Sequence, residues 1–279
     1  MKRNADLSID KLINRLIHLG AFTDEETIQA LLQKKEEVRP ALINLLYDKK
    51  VWDLKSDLAT WAPICIIHLL SSMGNSKEAA EAVIDSIKKY HNDMGDWITE
   101  EASNVLAGFG SVAFENIGGM LFDRDMEEFC RSTGSNALFL ISKESGNDFT
   151  KMSIELIKKA IMEEESNEND LMRTLLTSDL SDFKDPDSLD FIKSLFQREL
   201  IDAESISMEE ITKIYNYEYE DLKHMSRRDP LEIFQKNANH YIHNCEYSRW
   251  TDKKLNPRNG LCPCGSGKKF KKCCMLLEK

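Results

Sequence analysis

Four of the chain's seven cysteines fall within thirteen residues near its C-terminus, as Cys262-Pro-Cys264 and Cys273-Cys274 with eight residues between the pairs. Thiolates are soft ligands, and four of them in one short loop match the all-cysteine coordination of structural zinc. Gly265 and Gly267 permit the tight reversal such a loop needs, and Pro263 stiffens the first ligand pair. A segment this short cannot enclose a hydrophobic core. Metal binding would have to supply its folding energy, on the order of 10–16 kcal/mol for structural zinc peptides. The neighbouring Lys268, Lys269, Lys271 and Lys272 favour thiolate over thiol. The competing readings are a disulfide cluster or a redox switch, although adjacent cysteines make a strained bridge. A closed four-thiolate centre has no open position for water, so it should not catalyse.

The other residues with chemical potential are more scattered. Cys65 sits in an apolar run and Cys130 follows Phe129, and both read as small buried hydrophobes. His240 and His243 are i, i+3 neighbours on a helix beginning at Asp229-Pro230. Such a pair could share a metal with nearby carboxylates, which keeps a metal-dependent enzyme as an alternative. The plainer reading is a surface or capping pair near a helix C-terminus, where a histidine cation is favourable. No H-E-x-x-H, G-x-S-x-G or P-loop signature is present. The expectation is a non-enzyme with no catalytic residues.

Charge divides the chain into unlike parts. Residues 251–279 hold eight basic and two acidic side chains, a balance of +6; with −11 overall, residues 1–250 carry −17. The body is thus a poor nucleic-acid binder, and RNA binding through the basic tail remains a further alternative. The longest apolar run, Trp61 to Leu70, has ten residues, against the roughly 20 of a membrane span. The N-terminus lacks the apolar stretch of a signal peptide. An odd cysteine count in a chain of 279 residues does not suggest a secreted disulfide framework. A cytoplasmic protein is expected.

The elements that must carry these residues read as helices. Gly74, Gly110 and Gly146 are spaced 36 residues apart, each between apolar segments of helical periodicity. The units run Trp61–Met73 then Lys77–Tyr90, Trp97–Phe109 then Val112–Phe122, and Met126–Ser145 then Phe149–Glu164. Arg39-Pro40 and Asp185-Pro186 place proline where a helix begins, and Thr23 to Glu26 and Ser207 to Glu210 have the capping-box pattern. Paired helices at this period, with glycine at the turn, mark an α-solenoid: one pair cannot hide its apolar face, whereas stacked pairs share a core. Trp61 and Trp97 hold matching positions suited to repeat packing, and Glu163 to Asp170 reads as a solvated acidic loop. The expected architecture is all-α and HEAT-like over 1–203, further helices over 204–247, and a linker with the cysteine motif over 248–279.

From Arg258 to Cys274 the sequence resembles the SEC-C motif, which ends the preprotein translocase motor SecA and many unrelated bacterial proteins. The resemblance implies one Zn2+ on Cys262, Cys264, Cys273 and Cys274. Gly260 and Leu261 depart from the usual Asp-Pro, and Phe270 from the commoner Tyr, but none of these is a ligand. The body, on the segment Phe22 to Leu46, is similar to a bacterial group of HEAT-like proteins of unassigned function that carry this motif. By resemblance to SecA, the tail would recruit a partner such as a SecB-like chaperone or the ribosome. The expectation is a protein-interaction scaffold whose helical body holds another partner.

Overall fold

The computed structural model describes residues 7–54, 59–166, 169–216, 229, 231–232, 235, 260 and 268–272. Among them the regular structure is helical and contains no strand. No helix of the described residues is long and apolar enough to cross a membrane. The chain divides into two compact units, residues 1–73 with 229–279 and residues 74–228.

The first unit contains α1 (Ile9–Leu19), α2 (Glu25–Gln33), α3 (Lys35–Tyr47), α4 (Lys49–Trp52) and α5 (Ala62–Met73). A helix that is apolar on every side belongs in the middle of a core, and α5 is one: Cys65, Ile66, Ile67, His68, Leu69 and Leu70 are all fully buried. α1 and α3 pack on it with Leu12, Leu16, Val38, Leu42 and Leu46, each burial stabilising the fold by about 1.5–3 kcal/mol. Two local readings need correction here. Pro40 lies inside α3 rather than at its first position, because the chain breaks earlier, at Lys34. The cap of α2 is Asp24, which accepts from the Thr27 amide at 2.9 Å, rather than Thr23. The Thr23 hydroxyl is already engaged, donating to the Gly20 carbonyl at 2.7 Å.

The second unit contains α6 (Lys77–Met94), α7 (Trp97–Glu100), α8 (Ala102–Ala107), α9 (Phe114–Met120), α10 (Glu128–Ser145), α11 (Asn147–Glu165), α12 (Asp170–Ser181), α13 (Pro186–Gln197) and α14 (Met208–Asn216). α10 is its centre, with α8, α9, α11 and α12 packed around it. The small residues Ser132, Gly134 and Ser135 let those neighbours come close. Pro186 does open α13 behind an Asp185 cap, and Ser207 and Glu210 form a reciprocal box at α14.

All three periodic glycines take the left-handed backbone that favours glycine, with φ of +62° at Gly74, +72° at Gly110 and +95° at Gly146. Two successive turns also touch. A Cβ on Gly74 would sit 3.5 Å from the Gly108 carbonyl, and one on Gly110 would sit 3.5 Å from Asn75 Oδ1. Regularity ends there. The segment from Trp97 is broken at Glu101 into α7 and α8, and Trp97 is buried while Trp61 is only half-buried.

α13 closes with a Schellman turn, the Glu199 amide donating to Phe196 and the Leu200 amide to Leu195. Glu199 sits at the left-handed position of that turn, φ +55°, and is exposed. Glu199→Gly is therefore expected to raise stability by about 0.5–1 kcal/mol in urea unfolding, since glycine removes the Cβ clash.

Candidate metal centre

The cysteines Cys262, Cys264, Cys273 and Cys274 lie outside the described residues, as do His240, His243 and Cys245. What the structure shows of the tail is the spacer between the two cysteine pairs. Phe270–Lys272 form one 3-10 turn, closed by the Lys272 amide donating to the Lys269 carbonyl at 2.8 Å. The described part of the spacer thus makes a tight turn up to Lys272. Lys268, Lys269 and Lys272 are exposed and Lys271 is half-buried, so the turn presents cationic side chains to solvent. The donor set, four soft thiols, fits zinc by its chemistry. Upstream, Asp229 Oδ1 accepts from the Leu231 amide at 2.8 Å and the chain is helical at Leu231 and Glu232, where the Asp229-Pro230 start was expected.

Among the described residues, no three His, Cys, Asp or Glu side chains gather as a metal site. Cys65 and Cys130 are buried, and burial pushes both thiols up to about 12, far from the reactive thiolate range. Both are packing residues, as their neighbours in sequence suggested.

A family model for the SEC-C motif matches residues 258–276, and one for a protein of unknown function (DUF1186) matches residues 7–247. The chain belongs to the DUF1186 family. In this DUF1186 protein the family region takes in both His240 and His243, and the SEC-C match takes in all four tail cysteines. No curated protein and no solved structure matches the chain.

The acidic run at Glu163 holds what sequence reasoning missed. Its first three residues are not solvated loop: Glu163 to Glu165 complete α11, and Glu164 is 3% exposed. Its carboxylate accepts from Arg131 on α10 at 2.5 Å, and the same guanidinium donates to the Leu121 carbonyl. Arg173 on α12 donates to the Glu164 carbonyl at 3.0 Å, to the Leu200 carbonyl at 2.9 Å and to Asp170. Asn169 caps α12 and reaches Glu128 at 3.1 Å. A buried charge must be paired and hydrogen-bonded, so these groups fix α10, α11 and α12 in one register. The available signal was Arg131 standing alone among the small residues of its helix.

Proposed function

We propose that this protein is a non-catalytic interaction scaffold: a helical-repeat body that holds one partner and a zinc-stapled SEC-C tail that recruits another. The observation that carries the reading is the cysteine tetrad within the SEC-C match, joined to a lysine-bearing turn. A compact cationic knob suits an acidic protein face, of the kind a SecB-like chaperone or a ribosomal surface offers. The touching left-handed turns at Gly74 and Gly110 support a repeat body, HEAT-like in length, and the −17 balance of residues 1–250 favours protein over nucleic acid as its partner. In this reading zinc is structural and the protein is cytoplasmic.

Affinity capture with the full chain and with a full-length Cys273→Ser/Cys274→Ser variant tests the proposal. The variant is expected to lose one set of partners and keep another. Identical partner sets would sink the two-ended scaffold. Loss of RNA alone, with a steep salt dependence, would instead favour RNA binding by the tail.

A further inference from the structure

Asp179 lies in the last turn of α12 and faces α10. Its Oδ2 accepts from the Ser132 hydroxyl at 3.0 Å and from the Ser135 hydroxyl, and its Oδ1 accepts from the Asn136 amide at 3.2 Å. All three donors are neutral. Asp182 follows one turn later, its amide donating to the Asp179 carbonyl at 3.3 Å. Two anions at i, i+3 repel, and the C-terminal end of a helix disfavours negative charge.

The charged groups that act on this pair are Lys184, in the turn after α12, and Lys143 on α10, both through Asp182. On the other packed helices, Lys158 and Lys159 of α11 meet Asp185 and Glu163, each at 3.8 Å, Lys193 of α13 meets Asp190 at 3.0 Å, and Lys213 of α14 meets Glu209 at 2.8 Å. From α14, the Tyr215 hydroxyl donates to the Asp185 carbonyl at 3.0 Å.

Proton counting points the same way. The Ser135 hydroxyl has one hydrogen and two acceptors within reach, the Ser132 carbonyl at 2.8 Å and Asp179 Oδ2. With an ionised Asp179 only one of those contacts holds a hydrogen. With a protonated Asp179, its own hydroxyl donates to Ser135 Oγ, which donates onward to Ser132, and both contacts become hydrogen bonds.

We propose that Asp179 and Asp182 form a proton-operated latch between α10 and the end of α12, tightest when the pair holds a proton. The latch controls the turn into α13, where Phe183 packs edge-on against Phe139 at 5.0 Å and Lys184 takes φ +51°. Burial pushes Asp179 up to about 6 in spite of its three donors. Burial and then the Asp179 charge push Asp182 up to about 7, against the two lysines. A carboxyl raised in the fold contributes stability that is complete below its ordinary value of 3.8 and is lost as pH rises through the raised values. Acidification from about pH 8 to 6 should therefore tighten the fold. The lowered Asp24 and Asp123 act oppositely, but only below the ordinary carboxylate range, outside that window.

The test is thermal unfolding of the full chain between about pH 8 and 6, for the native protein, Asp182→Asn and Asp179→Asn, beside a carbon-13 NMR titration of the aspartate carboxyls. The native midpoint is expected to climb by about 3–6 °C on acidification, each variant to lose much of that slope, and Asp182→Asn to exceed the native midpoint at pH 8. All other groups are common to native and variant, so the difference in slope isolates the pair. Two aspartates should titrate above about pH 5.5, and Asp182→Asn should remove one such titration and lower the other. Equal slopes in native and Asp182→Asn, or every aspartate titrating below about pH 5, would overturn the latch. Should Asp179→Asn fail to fold, Asp182→Asn and the titration decide it.

Discussion

Glu164→Ala is expected to destabilise the 74–228 unit by about 3–5 kcal/mol, the largest effect of a single substitution proposed for this protein. The reason lies with the partner left behind. Arg131 is almost wholly buried, and its Nε has no acceptor among the described residues. Without Glu164 the guanidinium keeps, among the described residues, only the Leu121 carbonyl, in a place where water cannot reach it. Glu163→Ala, one residue earlier, should cost less than about 1 kcal/mol, because that carboxylate meets Lys159 at 3.8 Å on the helix surface. Replacing the pair together, Arg131→Met with Glu164→Leu, should recover most of the loss, since apolar groups of similar volume need no solvation. Urea unfolding followed by circular dichroism measures all three. Equal costs at positions 163 and 164 would show that the burial of Glu164 does not matter energetically.

The contrast between those neighbours shows which parts of the structure were legible in the sequence. Features set by local backbone chemistry were readable: left-handed turns at Gly74, Gly110 and Gly146, proline opening α13, and the Ser207–Glu210 box. Each depends on residues within a turn of one another. Where two local options compete, nearby contacts chose, as when the Gly20 carbonyl engaged Thr23 and left Asp24 to cap α2. Burial of a charge left one trace only, Arg131 alone among the small residues of its helix. Glu164 sits in an acidic run that looks solvated, and its partner lies 33 residues away. The period marks the turns without fixing what joins them, so the break at Glu101 carried no signal. The tail is the opposite case: residue types and spacing alone single out its four cysteines as the proposed ligands.

That independence sets the expected outcome for metal removal. Cys273→Ser with Cys274→Ser should reduce bound zinc from about one per chain to near zero, measured by elemental analysis of purified full-length protein. A seryl hydroxyl does not ionise near neutral pH and is a poor zinc ligand, so two of four bonds go, and with them a folding contribution on the order of 10–16 kcal/mol for such peptides. The loss should stay local. The family match to the body ends at residue 247 and the motif begins at 258, so helical circular dichroism should change little. Cys65→Ser and Cys130→Ser should leave zinc unchanged, because their buried thiols take no part in it. Zinc affinity should fall with acidification, since each cysteine must lose a proton to bind, and the flanking lysines should displace that fall toward lower pH. The decisive comparison is with His240→Ala/His243→Ala. Zinc kept in that variant and lost in the cysteine variant places the metal in the tail, where a closed centre can only build a surface. Zinc kept in the cysteine variant and lost in the histidine variant would move it into the body, and the interaction scaffold would give way to a metal-dependent enzyme.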